Sequence, residues 1–97
     1  KLLWDEVIAI GGLNRALVSP RETLAPALER GASGMIMAHN NLSGTPDPSN
    51  ADRELTALVE NAADLMKVDL WDHIIIAPEG YYSFNEHGLI KFQNNKW

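Results

Sequence analysis

The residues best suited to chemistry lie in one polar stretch, His39 to Asp52, which reads HNNLSGTPDPSNAD. The imidazole of His39 and the carboxylate of Asp52 are ordinary zinc ligands. Asn41 is the next residue but one after His39, so in an extended segment both side chains project to the same side, and its amide oxygen could add a weak third contact. A catalytic zinc site normally has three protein ligands and a water whose pKa the metal lowers towards about 7. With only two strong ligands in view, the pattern predicts a poor zinc site.

The same stretch has a purely structural interpretation. Ser49 and Asp52 fit the S-x-x-D pattern that caps the N-terminus of a helix, and Pro48 just before them suits a helix entrance. Taken alone, this interpretation is favoured, because helix caps are much commoner than metal sites. The two interpretations can coexist, since a carboxylate in the first helical turn interacts favourably with the helix dipole whether or not a metal is present.

Two elements must position this stretch. A predicted strand over residues 33–38 precedes it, and the small and apolar residues of that strand suit burial on both faces. A predicted helix follows it, with apolar residues spaced by three and four along one face. Loops held between rigid elements are where binding groups tend to collect. The apolar positions of the helix are Ala51, Leu55, Leu58, Val59, Ala62, Leu65 and Met66.

An earlier helix is predicted from its capping residues. Ser19 can serve as N-cap, Pro20 occupies the first helical position, and Glu22 completes a capping box. We expect this helix to run to about Arg30, where a glycine follows. Pro26 lies inside it and removes one backbone hydrogen bond, which predicts a kink or an irregular first turn.

The remaining apolar runs predict strands. They are bounded by glycine, proline and asparagine, which favour turns. Together with the helices they give the order β-β-α-β-α-β-β, which is typical of an α/β fold with a mixed sheet flanked by two main helices. Besides the strand over 33–38, the predicted strands cover residues 6–10, 16–18, 70–77 and 81–84, and residues 89–92 are a candidate for an additional edge strand.

Composition limits the class of protein. The 97 residues suit a single domain over 1–97, and the absence of cysteine excludes disulfides and thiolate metal sites. With 8 Lys and Arg against 13 Asp and Glu, the formal net charge is -5, which disfavours strong direct binding to nucleic acid. No apolar run approaches the roughly 18 residues of a membrane-spanning helix, and the first residues lack the layout of a signal peptide. We therefore expect a cytoplasmic protein with no membrane segment.

The polar stretch resembles the JAMM signature of the JAB/MPN metallopeptidase superfamily, in which H-x-H-x7-S-x2-D follows an upstream Glu. His39, Asn41, Ser49 and Asp52 fall on its four positions, so the metal motif is degenerate at Asn41. Across nearly its whole length the chain is similar to the RadC-like branch. The resemblance is carried by residues 12–14, 18–22, 38–40, 43–44, 48–49, Asp52, Leu70, 72–75, 82–84, Glu86 and Gly88.

The resemblance implies a JAB-type fold with zinc at a strand-to-helix junction. It implies His39 and Asp52 as metal ligands, and Ser49 as a catalytic residue that stabilises the tetrahedral intermediate of peptide or isopeptide hydrolysis. Asn41 stands where the family has the second His ligand. The family's general base is a Glu on a strand before the one aligned with residues 6–10, so Glu6 is not assigned this role, and the domain is expected to lack the family's first strand.

Other polar residues are interpreted structurally. His73 is expected to be a structural residue or one that supports a ligand from behind, because no acidic or His partner lies at ligand spacing within its strand. His87 is expected to be solvated in a polar turn. Asp69 and Asp72 are interpreted as polar residues at the entry to a strand.

Three hypotheses for function follow. The first is a zinc-dependent, metallopeptidase-like hydrolase that acts on a protein or peptide. The second is a non-catalytic JAB-type interaction module in which zinc binding is weak or lost. The third is a DNA-repair accessory protein, as the family's name suggests, and the acidic charge then requires that it act through a protein partner. The exposed sheet edge left by a missing strand could also pair two protomers into a homodimer.

Overall fold

The structure is a computed structural model that describes residues 6–9, 19–41 and 44–91. Within these ranges the order of elements is β1 (Glu6–Ala9), α1 (Pro20–Glu29), β2 (Gly34–Asn40), α2 (Asn50–Leu65), β3 (Asp69–Ala77) and β4 (Gly80–Ser83). The described strands form one sheet in the order β1-β2-β3-β4. Strands β1, β2 and β3 are parallel, and β4 is antiparallel to β3. The predicted α/β class, with a mixed sheet and two helices, is therefore confirmed.

Two of the predicted strands need comment. The strand expected over 16–18 lies outside the described residues. The strand expected over 89–92 is not formed in its described part, residues 89–91. There Ile90 is 1% exposed and belongs to the core, while the backbone N–H of Lys91 donates to the carboxylate of Glu60 at 2.6 Å. This apolar run therefore anchors the chain on α2 without joining the sheet.

Both helices begin with the capping box that the sequence predicts. In α1 the Ser19 hydroxyl accepts the backbone N–H of Glu22, and the Glu22 carboxylate accepts the backbone N–H of Ser19. In α2 Ser49 and Asp52 exchange the corresponding bonds. Each pair satisfies N–H groups that lack a partner within the helix. Helix α1 continues without a break through Pro26.

The two helices also end alike. After α1, the N–H of Gly31 bonds to the Leu28 carbonyl and the next N–H bonds to the Ala27 carbonyl. After α2, Lys67 takes the position of Gly31, with φ values of 63° and 64° respectively. This is the Schellman arrangement, in which the residue after the C-cap adopts the left-handed conformation. Glycine adopts it without strain, whereas the Cβ of Lys67 makes it unfavourable.

The core lies between the sheet and the helices. Helix α1 packs on β1 and β2, α2 packs on β3, and the helices pack against each other. Met35, Met37 and His39 of β2 are buried, whereas Ile36 and Ala38 between them are half-buried. Both faces of this strand are thus covered at least in part, as expected, but the degree of burial alternates with the pleat. None of the described helices combines the length and apolarity needed to cross a bilayer.

An irregularity in β3 changes which residues of this strand share a face. Met35 pairs with Leu70 and Ile36 pairs with Asp72, so the register skips Trp71. Directly after the bulge, the neighbours Asp72 and His73 are 2% and 0% exposed. Side chains in a regular strand alternate between faces, so both can be buried here only because each face is covered at this point.

Candidate functional site

The candidate site joins the end of β2 to the beginning of α2. His39 is the last buried residue of β2, and Asp52 lies in the first turn of α2. The structure places His39 Nε2 3.6 Å from Asp52 Oδ1, with both side chains 1% exposed. The two residues that the sequence selects as strong ligands therefore lie side by side in a buried position.

The carboxylate of Asp52 divides its oxygens between two partners. Oδ2 accepts the backbone N–H of Ser49 at 2.8 Å, which fixes the carboxylate at the helix start, and Oδ1 faces His39. The Ser49 hydroxyl accepts the backbone N–H of Asp52 at 3.1 Å, and Ser49 is exposed. The capping interpretation of this pair is confirmed, and the same bonds orient the candidate ligand. The role of Ser49 with a reaction intermediate stays a prediction.

Asn41 lies directly after β2, on the loop side of the site. Its backbone N–H donates to the Ile76 carbonyl at 2.7 Å, which continues the pairing with β3. Its side-chain Nδ2 donates to the Thr45 carbonyl at 3.1 Å, so the amide ties the loop back on itself. The amide oxygen of Asn41 as a third metal contact stays a prediction.

Behind His39 lies a second buried imidazole. His39 Nδ1 is 3.0 Å from His73 Nε2, and His73 Nδ1 is 2.5 Å from the hydroxyl of Thr56. That hydroxyl donates to the backbone carbonyl of Asp52 at 2.8 Å. His73 is 0% exposed and Thr56 is 2% exposed. His39, His73, Thr56 and Asp52 thus form a closed buried network, which we call the His–Thr relay.

The ring of His73 is held on one face by an aromatic neighbour. Phe84 stacks on it with ring centroids 4.7 Å apart and planes inclined by 12°, and Phe84 is itself 1% exposed. His73 contacts the candidate ligand His39. Its role in supporting a bound metal stays a prediction. Thr56 is a residue that the sequence analysis did not consider. It follows Asp52 by one helical turn on the same face, and this spacing could have indicated it.

Asp72 supports the segment that carries Phe84. Its Oδ1 accepts the backbone N–H groups of His73 and Asn85 at 2.7 and 2.9 Å, and its Oδ2 accepts the Ser83 hydroxyl at 2.6 Å. The interpretation of Asp72 as a strand-entry polar residue is therefore wrong. Asp72 directly follows the bulge at Trp71, and its buried carboxylate fixes the turn after β4.

The remaining histidine lies apart from this network. His87 is exposed, stacks on Tyr82 with ring centroids 4.0 Å apart, and approaches the Ser83 carbonyl with Nδ1 at 2.9 Å. Nearby, the hydroxyl of Tyr81 donates to the Glu86 carboxylate, and this hydrogen bond raises the pKa of Tyr81 above its ordinary value.

The acidic and imidazole side chains do not build a larger cluster here. Across residues 6–9, 19–41 and 44–91, no group of three or more His, Asp or Glu side chains is arranged to hold a metal ion. Within that part of the chain, His39 and Asp52 are the pair with suitable donor atoms at the strand-to-helix junction.

Comparison with known proteins gives one family. The family model described as "RadC-like JAB domain" matches residues 1–89. The chain is 40% identical over 90 residues to a UPF0758 protein of Pelodictyon phaeoclathratiforme. The matched segment covers 93% of this chain and 40% of that protein. It is 44% identical over 85 residues to a UPF0758 protein of Chlorobium phaeovibrioides, covering 88% and 38%. For a UPF0758 protein of Thermotoga maritima the identity is 37% over 87 residues, covering 90% and 39%. The chain thus spans about two fifths of the length of these curated relatives.

Proposed function

Because the chain belongs to the RadC-like JAB domain family, we propose that it is a JAB-type hydrolase domain for peptide or isopeptide bonds, with a weakened zinc site formed by His39 and Asp52. The observation that carries this proposal is the 3.6 Å separation of His39 Nε2 and Asp52 Oδ1 in a buried position. Family membership supports the reaction class, and the pair supports the place of the ion.

The spacing of the pair fits zinc. Bonds from zinc to imidazole nitrogen and carboxylate oxygen are about 2.0–2.2 Å, so two ligands at a tetrahedral angle lie roughly 3.3–3.6 Å apart. The observed 3.6 Å between Nε2 and Oδ1 agrees with that span. Direct hydrogen bonds between nitrogen and oxygen are shorter, about 2.7–3.2 Å. The pair is therefore spaced better for sharing a cation than for bonding to each other.

Each residue of the site has a distinct task in this proposal. His39 and Asp52 would hold the ion, and Asn41 or a water would add to its coordination. Zinc, when bound, supplies Lewis acidity and activates water at neutral pH. The exposed hydroxyl of Ser49 lies at the N-terminus of α2, where the helix dipole favours negative charge, so it is placed to donate to a developing oxyanion.

One observation favours a second candidate, a non-catalytic JAB-type interaction module. Asn41 stands where the family pattern has a His, and an amide oxygen is a weaker zinc ligand than an imidazole. In the described ranges no third His, Asp or Glu joins the pair. If zinc binding has been lost, the buried pair serves the fold, and the domain acts by binding a protein partner.

The test is a calorimetric titration of the chelator-stripped protein with Zn²⁺. We expect weak binding by the wild type, loss of binding in His39→Ala, and an affinity raised by more than about tenfold in Asn41→His, since even residues behind the ligands alter metal affinity by ~10–100-fold. His87→Ala is the matched control, because His87 is exposed and lies outside the site.

The outcomes separate the two candidates. Binding by the wild type that is lost in His39→Ala supports the hydrolase domain. Binding only by Asn41→His supports the interaction module, because the scaffold is then intact and the third ligand is missing. An affinity unchanged by Asn41→His, or equal loss in His87→Ala and His39→Ala, would refute the site.

A further inference from the structure

We propose that Thr56 and His73 are positioning residues that fix the tautomer of His39, placing its proton on Nδ1 and its lone pair on Nε2 towards Asp52. The metal-binding consequence rests on the proposed zinc site, whereas the tautomer itself is a property of the metal-free protein.

The relay begins at Thr56, which has a single hydroxyl proton. Its oxygen lies 2.8 Å from the backbone carbonyl of Asp52, and a carbonyl can only accept. The proton of Thr56 therefore points to Asp52, as threonine hydroxyls in helices commonly bond to the carbonyl one turn earlier. The 2.5 Å contact with His73 Nδ1 must then use a lone pair of Thr56 and a proton of His73.

The proton on His73 Nδ1 determines the tautomers of both imidazoles. A neutral imidazole carries one N–H and one lone pair. With the proton of His73 on Nδ1, its Nε2 is an acceptor, so the 3.0 Å contact with His39 Nδ1 requires the proton to be on His39. The lone pair of neutral His39 is then on Nε2, which faces Asp52 Oδ1. Zinc-binding histidines commonly donate their other ring N–H in this way.

The opposite proton order conflicts with the geometry at Thr56. It would turn the Thr56 hydroxyl to His73 and leave two acceptor oxygens, of Thr56 and Asp52, 2.8 Å apart. The order that satisfies the short contacts is thus the one that presents a lone pair beside a carboxylate, which favours a cation between them.

The surroundings keep the relay in this order. His39, His73 and Thr56 are 3%, 0% and 2% exposed, so solvent water is largely kept from the ring nitrogens. Stacking on Phe84 restrains the ring plane of His73. Helix α2 supplies both Asp52 and Thr56, so their relative position is set by one helical turn.

The first measurement is long-range ¹H–¹⁵N NMR of the imidazole rings in the metal-free wild type, at about pH 8, where an ordinary imidazole with a pKa of ~6.5 is neutral. The chain has 3 histidines, so His87→Ala and His39→Ala assign the signals. We expect a proton on His39 Nδ1. An unprotonated Nδ1 would overturn the proposal. The tautomer is read in the wild type, and His39→Ala serves only to assign its signals.

The second measurement compares Zn²⁺ affinity and ring signals in Thr56→Val and Thr56→Ser. Valine keeps the shape of threonine but removes the hydroxyl, so we expect a roughly 10–100-fold loss of affinity and a shift of the His39 proton towards Nε2. Serine keeps the hydroxyl and should stay within about threefold of the wild type. Thr23→Val is the matched control, because Thr23 is equally buried and its hydroxyl bonds to the Ser19 carbonyl in the other helix.

The two proposals can fail separately. A wild type with the expected tautomer but no Zn²⁺ binding would refute the zinc site and leave the tautomer assignment standing. Zn²⁺ binding and ring signals that are the same in Thr56→Val and the wild type would refute the relay and leave the zinc site standing. Equal losses in Thr56→Val and Thr23→Val would show a general effect on stability, and would also refute the relay.

Discussion

The buried carboxylate of Asp72 gives the sharpest prediction about stability. Replacing it with asparagine keeps the size of the side chain but removes the charge and exchanges one acceptor oxygen for an NH₂ group. Two backbone bonds, from His73 and Asn85, then lose their charged acceptor. The Ser83 hydroxyl also loses its acceptor if the NH₂ group takes the place of Oδ2.

The size of the effect follows from these contacts. Hydrogen bonds to charged groups contribute about 1.5–3 kcal/mol against about 0.5–1.5 kcal/mol for neutral ones, so each backbone bond loses roughly 1 kcal/mol. A buried hydroxyl without an acceptor costs about 1–3 kcal/mol. We therefore expect Asp72→Asn to lower the free energy of unfolding by about 3–5 kcal/mol. For a domain of this size that lowers Tm by at least about 12 °C.

Thermal unfolding followed by circular dichroism measures this change. Asp69→Asn is the matched control, because Asp69 lies in the same strand and is exposed. Exposed substitutions of this kind stay within about 0.5 kcal/mol of the wild type. A Tm for Asp72→Asn that matches the one for Asp69→Asn would refute the reasoning, since it would mean that the buried carboxylate contributes nothing beyond its shape.

Three further changes test other parts of the fold. Lys67→Gly should raise the free energy of unfolding by about 0.5–1 kcal/mol in urea titrations, because glycine adopts the φ of 63° without strain, and no gain would count against the Schellman assignment. Gly34→Ala should lower it by about 1–3 kcal/mol, because the new Cβ would lie 2.5 Å from the indole of Trp71, and the double variant with Trp71→Leu should be less than additive. Glu86→Ala, which removes the acceptor, should lower the raised pKa of Tyr81 towards its ordinary value, and a tyrosinate absorbance titration that shows no change would contradict the hydrogen bond as its cause.

Local patterns predicted much of this fold. The capping boxes at Ser19 and Ser49 depend on residues three positions apart, so the sequence alone contains the information for both helix starts. The proximity of His39 and Asp52 could also be predicted from the sequence, because His39 lies at the end of a strand and Asp52 at the beginning of the next helix. Such features depend on short chain separations, and a motif can encode them directly.

Features that depend on strand register could not be predicted from the sequence. The bulge at Trp71 shifts the register of the strand before Asp72 and His73, and nothing in the alternation of residues 69–77 indicates it. The contact of His73 with Thr56 depends on how α2 sits on β3, which is a tertiary property. The run after Leu89 has strand-like composition, but the bond from Lys91 to Glu60 directs its backbone to a side chain.

The double duty of Asp52 has a consequence for how such sites change during evolution. Exchanging Ser49 or Asp52 would disturb the start of α2, so selection for folding alone is enough to retain both. In the proposed zinc site, the main duty of residue 41 would be to the ion, and its side-chain bond to Thr45 is exposed, so we expect drift to act there first. Among relatives of this chain, the residue at position 41 should therefore distinguish lineages that kept the chemistry from those that kept only the scaffold.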